Sequence, residues 1–352
     1  MASKHIRSIS IENFKCFKKL SISKFGNVNL IGGKNNVGKT SFLEAIELLS
    51  GATKAQDLIY QIRNMLQRRQ QEDNRPRRFI ELDFMHDDSQ FLLLESNIRR
   101  CEIKFEERSS DESKETLFSD DTGQQYDLYL NISVNDDERR IPTDLFLSDR
   151  AGPIIRRSFE NYLNNLNYIK SSKTDERRIS LLYGSLVDLN KEEYLNRSLQ
   201  LFDESLLAIK QRATERGVTL KVQKKDRESP VLLSSLGDGV NRYIAILCAI
   251  WASENGILFI DEIENGIHYS NYKKLWKLIF QTAKEANCQI FVTSHSKECI
   301  QEFNNYQIRG SEGNGLYFEL FRSKKNNLIK AIPRDHDQLQ YALAHDEDIR
   351  GE

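Results

Sequence analysis

The sequence predicts an α/β protein: a mixed central sheet with flanking helices and an antiparallel β portion, interrupted by an inserted β-plus-helical region. Three observations predict it. A compact apolar strand, "VNLI" (Val28–Ile31), runs into a glycine-rich loop and then a helix with apolar residues at Phe42, Ala45, Ile46 and Leu49. Toward the other end, strand-like and helix-like segments alternate: "ILFIDEIENG", then Tyr272 to Ala283, then "CQIFVTSHS". Between them, from Gln56 to Val231, the composition turns polar and the periodicity weakens.

Composition supports a globular reading. The 352 residues can bury one large core or two moderate ones, and 39% hydrophobic with 29% charged content excludes a disordered chain. The formal net charge of −1 removes any global basic field, although "RRQQEDNRPRR" (Arg68–Arg78) and "KVQKKDR" (Lys221–Arg227) are locally basic. Such runs are usually solvated faces, and nucleic acid is kept as a possible partner on their account. Cys16, Cys101, Cys248, Cys288 and Cys299 are scattered without a C-x-x-C pair, which fits a reducing compartment rather than a disulfide or zinc framework. The start "MASKHIRSIS" lacks the apolar segment of a signal peptide, and the longest apolar run, "IAILCAIW", is far short of the ~20 residues that span a bilayer. A cytoplasmic protein with no membrane partner is the expectation.

Taken in order, "HIRSISIENF" and "KKLSIS" alternate as an antiparallel pair before Val28–Ile31 and the loop. Gly51 is a plausible helix stop. "RFIELDFM", "FLLLESNIRRCEIKFEE" and "TGQQYDLYLNISV" read as antiparallel strands, with "DESKETLFSDD" as a charged loop. Beyond Pro153, Ile155, Phe159, Tyr162, Leu163 and Leu166 form one helical stripe, and Leu195, Leu199, Phe202, Leu206 and Ile209 another. No internal repeat and no sustained heptads occur, so a long coiled-coil arm is excluded. "GVNRYIAILCAIWASENG" is apolar nearly all round and should be a buried helix. These boundaries divide the chain into residues 1–55 (first half of the core), 56–230 (inserted β and helical region) and 231–352 (second half of the core).

The chemistry concentrates at the loop. "GGKNNVGKTS" matches G-x-x-x-x-G-K-[ST] with Gly33, Gly38, Lys39 and Thr40 at the fixed positions, in the strand–loop–helix context the motif requires. Backbone N–H groups from Gly33 through Asn35, Asn36 and Gly38 to Lys39, with Ser41 in the first helical turn, can surround phosphates. Lys39 supplies a charge near the β- and γ-phosphates, and the Thr40 hydroxyl is placed to ligate Mg²⁺. In "ILFIDEIEN", Asp261 ends an apolar strand as the second Mg²⁺ ligand, and Glu262 is placed to polarise the attacking water. Glu264 reads as a charge at a helix N-terminus. His295, after the next strand, is either structural or a γ-phosphate sensor; it follows the Asp261 strand at the spacing that resembles where one class of P-loop ATPases places such a sensor, which favours the second.

These motifs resemble the ABC-like P-loop ATPases of the SMC, RecF and OLD-nuclease group. The opening "IRSISIENFKCFKKLSISKFGNVNLIGGKNNVGKTSFLEAI", the signature-like "SSLGDGVNRYIAIL", and "LFIDEIENGIH" with "TSHS" carry the likeness. "DEIENGIH" and "LQYALAHDEDIRG" are especially like the OLD branch. The resemblance implies an ABC-type head that binds ATP and Mg²⁺ between two copies of the chain, as a homodimer or higher homo-oligomer. Ser235, Gly237, Asp238 and Gly239 would then meet the partner's γ-phosphate, Asn265 to His268 would form the D-loop, and Gln56 and Gln61 both fit the Q-loop glutamine. OLD-type nucleases add a Toprim domain, for which "GLYFELFRSKKNNLIKAI" and one short helix leave little room. The expectation is therefore an ATPase that senses or regulates a separately encoded effector, a nuclease, in bacterial anti-phage defence. A RecF-like DNA-repair ATPase is the alternative.

Overall fold

Alternation of apolar and polar residues makes β1 (Ile9–Phe14) and β2 (Phe17–Ile22) a hairpin, with Phe14 opposite Phe17 at its closed end. The computed structural model describes residues 5–72, 84–86, 89–107, 128–143, 146, 165–172, 175–215, 217–309 and 315–345. The hairpin continues into a six-stranded antiparallel sheet, ordered β2-β1-β4-β5-β6-β7, with β4 at Phe91–Ser96, β5 at Arg100–Glu107, β6 at Leu128–Val134 and β7 at Asp137–Pro142. Its apolar face lies over α1 (Lys39–Gly51) and α2 (Ala55–Glu72), and Ile11, Leu92, Ile103 and Leu130 are fully buried with Leu43, Ile46 and Ile62.

The second sheet organises the site. Its order is β15-β14-β3-β13-β12-β8, with β3 at Val28–Gly33, β8 at Leu166–Ile169, β12 at Ile257–Ile260, β13 at Gln289–Thr293, β14 at Gly315–Arg322 and β15 at Ile329–Arg334. The five strands from β14 to β8 run parallel, and only β15 is antiparallel. Strands β3, β12 and β13 are buried at every position because both faces are covered, which is why they read as short, mainly apolar runs rather than alternating ones. Parallel pairing brings the ends of β3, β13, β12 and β8 to one edge, where ligand groups of such sheets gather.

The far face is covered by α3 (Glu176–Asp188), α4 (Glu192–Phe202), α5 (Asp238–Ala252), α6 (Tyr272–Glu285) and α7 (Lys297–Arg309). Every residue of α5 from Asn241 to Ala252 is buried, as its all-round apolar sequence requires. A three-stranded sheet, β11-β10-β9, stands beside α3 and α4, with β9 at Leu206–Thr214, β10 at Gly217–Lys224 and β11 at Val231–Leu232. The short helix α8 (His336–Ala344) follows β15 and opens with a capping box between Asp335 and Gln338.

Four sequence-based expectations are corrected. Leu166 belongs not to a helical stripe but to β8, where pairing with Ile257 overrides local spacing. Leu206 and Ile209 leave the second stripe for β9: Asp203 ends α4, and the chain reverses into a hairpin. The stretch 56–230, read as one insertion, contributes β4 to the N-terminal sheet and β8 to the central one. No helix starts at Glu264; residues 263 to 266 form a turn, a 3-10 turn follows at Tyr269–Asn271, and α6 begins at Tyr272. The segments Ile155–Leu163, "DESKETLFSDD" and most of "RFIELDFM" lie outside the described residues.

Candidate nucleotide site

The loop after β3 is shaped by backbone that only certain residues accept. Gly33 has φ +134° and Gly38 has φ +85°, and a Cβ at Gly38 would lie 2.4 Å from Cys16 Sγ. Asn36, at φ 61°, takes the left-handed conformation that asparagine tolerates best among residues with a side chain. Asn35 and Asn36 are exposed at the loop's tip, while Ser41 is buried in the first turn of α1. Lys39 folds back so that Nζ donates to the carbonyls of Gly33 (2.8 Å) and Lys34 (2.9 Å). Burial lowers the proton affinity of this ammonium, and the carboxylates of Glu262, Glu264 and Asp261 oppose that effect.

Thr40 and Asp261 meet although 221 positions separate them: the Thr40 hydroxyl donates to Asp261 Oδ2 at 3.0 Å. Thr293 at the end of β13 donates to Asp261 Oδ1 at 2.6 Å. Burial raises the Asp261 carboxyl above its ordinary range, against the two hydroxyl hydrogen bonds. A buried carboxylate served by hydroxyls alone, beside a loop made for phosphate, fits Mg²⁺, which takes hard oxygen ligands. Thr40 and Asp261 would hold it, and bound there the ion would neutralise phosphate charge.

Glu262 stands in the left-handed region at φ 47°, unusual for a long side chain and costing roughly 1–2 kcal/mol. Neighbours hold it there. Its N–H donates to Thr293 Oγ1 (2.8 Å), and its carboxylate accepts from Asn265 Nδ2 (2.7 Å). Arg242 of α5 donates to the carbonyls of Asp261 (2.6 Å), Glu262 (3.0 Å) and Ser172 (3.4 Å), and to that of Lys170. Desolvation pushes the Arg242 guanidinium down to about 10. One buried arginine thus ties α5, the β12 end and the β8 end into one backbone cluster.

His295 lies between two carboxylates. Its Nδ1 is 3.0 Å from Glu264 Oε1 and 3.8 Å from Glu262 Oε1. Lys39, Thr40, Asp261, Glu262 and His295 are thus brought to one edge. Ser235, Gly237, Asp238 and Gly239 sit apart at the head of α5: the Ser235 hydroxyl turns to the Leu232 carbonyl, and Gly239 abuts the Gly266 carbonyl. Within 265–268, Asn265 reaches Glu262 and the Ser171 carbonyl, whereas His268 pairs with Ser270. Gln61 lies against Gly51 at the far end of α1, about 18 Å along the axis from Lys39 at ~1.5 Å per residue. It lines a cavity of about 400 Å³ between α2, β8 and α3, and Gln56 sits a turn earlier in α2, so neither glutamine reaches the phosphate loop. Arg242 and Thr293 escaped the sequence reading, and Glu264 was read only as a helix-terminal charge, because each acts through contacts with residues distant in the chain.

A family model described as "AAA domain, putative AbiEii toxin, Type IV TA system" matches residues 28–300. An "ATP/GTP phosphatase" of Helicobacter pylori (strain ATCC 700392 / 26695) is 27% identical over 98% of this chain and all of its own length. The "DNA replication and repair protein RecF" of Clostridioides difficile (strain 630) is 44% identical over 45 residues, 13% of this chain and 12% of RecF. Among solved structures, the SmcHead bound to the C-winged helix domain of ScpA superimposes with TM-score 0.50 at 12% identity, covering 96% of this chain and 99% of that one. The Smc head domain of Pyrococcus furiosus, with an extended coiled coil and bound to the C-terminal domain of ScpA, gives 0.50 at 11% identity over 97% and 99%. Likeness at that identity establishes a common fold.

Proposed function

We propose, from the premise that this chain belongs to the AAA-domain family just described and is an ATPase with an SMC-head fold, that ATP and Mg²⁺ draw two copies together and hydrolysis releases them. Lys39 and the loop amides hold the phosphates, Glu262 polarises the water, and His295 contacts the γ-phosphate. One observation carries the pairing. The head of α5 packs against the 265–268 loop through Asp238 and Gly239 while Gly237 faces open space, at an edge where Leu232 and Tyr269 are 45% and 65% exposed. A helix N-terminus free of its own phosphate loop suits an anion brought by a second copy.

The closed pair then acts in the cytoplasm on a separately encoded effector, a nuclease, in anti-phage defence. Support for this part is the resemblance of "DEIENGIH" to the OLD branch. Light scattering of Glu262→Gln with Mg-ATP tests the pairing: a dimer or larger assembly seen with ATP and not ADP is expected, and an unchanged mass with ATP bound refutes it. Phage challenge of cells carrying the wild-type or Glu262→Gln chain with its neighbouring genes tests the defence role, and equal plaque counts refute that.

A basic ribbon favours a second reading, a DNA-binding ATPase like RecF. Lys210 and Lys221 stand directly opposite each other in the β9–β10 pair, with Arg212 two residues on, and none of the three forms an ion pair among the described residues. Like charges so placed cost stability unless a polyanion screens them. Duplex DNA binding that weakens with salt is the expected signature, with the slope of log K against log salt falling by roughly 2 in Lys210→Glu/Lys221→Glu. An unaltered slope rejects the ribbon as the contact.

A further inference from the structure

Glu264 is enclosed where a surface charge would gain nothing. Its side chain is 6% exposed, and Oε1 accepts from the backbone N–H groups of His295 (2.7 Å) and Ser296 (3.2 Å). The same oxygen lies 3.0 Å from His295 Nδ1, which is itself sealed from water. Oε2 is buried with no hydrogen-bond partner. Burying a carboxylate with one oxygen unsatisfied is costly, and packing alone does not require it: an apolar residue would fill the space. The turn after β13 is therefore organised around this charge.

We propose that Glu264 is the positioning residue of His295. Its carboxylate pins the turn through two backbone amides and turns Nδ1 inward, which leaves Nε2 as the ring nitrogen presented to an anion at the phosphate loop. In the present tilt of the ring, Nδ1 approaches Oε1 without regular hydrogen-bond alignment. A small rotation completes the bond, and as an imidazolium the ring then donates Nδ1–H to Glu264 and Nε2–H to the phosphate. Glu262, 3.8 Å away and more exposed, stays free for water. Glu264 thus does for His295 what an orienting carboxylate does for a catalytic histidine: it fixes the orientation of the ring and steadies its charged form.

The inference rests on the γ-phosphate role proposed for His295, and the test separates the two. Steady-state kcat and KM are measured for Glu264→Ala, Glu264→Gln, His295→Ala and the two double variants, together with the Kd of a non-hydrolysable ATP analogue. Long-range ¹H–¹⁵N spectra of the imidazole report which ring nitrogen is protonated. Glu264→Ala is expected to lower kcat by roughly 10- to 100-fold, as loss of an orienting carboxylate does, with Kd held within about twofold. The Nδ1 proton signal of His295 should vanish, and Glu264→Gln, which keeps an acceptor, should fall between Ala and wild type. In the His295→Ala background neither change should lower kcat further.

A drop of equal size with and without His295, or an unaltered imidazole spectrum, overturns the proposal and leaves Glu264 a structural residue. Should Glu264→Ala not fold, Glu264→Gln decides: a several-fold fall in kcat that His295→Ala masks supports the proposal, and wild-type kcat overturns it. Absence of ATP hydrolysis in the wild type would sink the functional reading instead, and the imidazole spectrum would still report on the Glu264–His295 contact.

Discussion

Replacing Gly38 by Ala tests whether the phosphate loop is held in its shape from behind. The structure supplies two costs. At φ +85° an Ala takes on roughly 1–2 kcal/mol of left-handed strain. Its Cβ would also lie 2.4 Å from Cys16 Sγ and 2.9 Å from Phe17 Cζ, so the β1–β2 hairpin must move by about 1 Å, and overpacking of that kind costs about 1–3 kcal/mol. The sum is about 2–5 kcal/mol, a large part of the ~5–15 kcal/mol that holds a typical domain. Urea unfolding followed by the fluorescence of buried Trp251 and Trp276 measures it. Cys16→Ala in the same chain removes the nearest clash and should restore about 1 kcal/mol, visible as non-additivity in a double-mutant cycle. If Gly38→Ala stays within about 0.5 kcal/mol of wild type, or Cys16→Ala restores nothing, then the hairpin does not back the loop as argued.

Two further outcomes follow from the same geometry. Lys15 is enclosed against the buried Glu44, which the exposed Arg69 also pairs, and desolvation pushes its ammonium from 10.5 down to about 8. The unfolded chain therefore holds more protons between pH 8 and 10.5, so stability rises with pH across that window, by at most about 3 kcal/mol at ~1.4 kcal/mol per pH unit. Lys15→Met should remove that rise, and identical slopes for wild type and variant would contradict it. At position 262, Gly should be more stable than Ala by about 1 kcal/mol, the reverse of the usual order, since both lose the Asn265 bond and only Gly sheds the left-handed strain. Chemical denaturation of the two variants side by side reads the difference, and Ala ahead of Gly would remove the strain at Glu262 from the account.

Legibility of the fold followed the locality of its causes. Strands β3, β12 and β13 were readable because burial on both faces makes them mostly apolar, the buried Asn29, Gln289 and Thr293 being the exceptions. The end of α4 was not, since Leu195, Leu199 and Phe202 continue at helical spacing to Leu206 and Ile209, and only the hairpin with β10 takes the last two away. Leu166 fails likewise: its partner Ile257 lies 91 positions on, beyond any window of periodicity. The site divides along the same line. Lys39 and Thr40 follow from contiguous residues, whereas the role of Glu264 was misread because a carboxylate four residues after a strand looks solvated until the β13 turn is folded over it.

By itself, then, the sequence determined a strand, a phosphate loop and a helix, and a second strand ending in Asp261 and Glu262. Each is a short contiguous segment whose backbone geometry is specified by its own glycines and apolar spacing. Tertiary structure alone decided how those pieces act together. Parallel pairing of β3, β13 and β12 sets Thr40 against Asp261, Thr293 against Asp261 and Glu262, and His295 against Glu264. Arg242 reaches four carbonyls on two different loops for the same reason. Hydrogen bonds select partners by distance and direction in space, and that information enters only when the strands come into register.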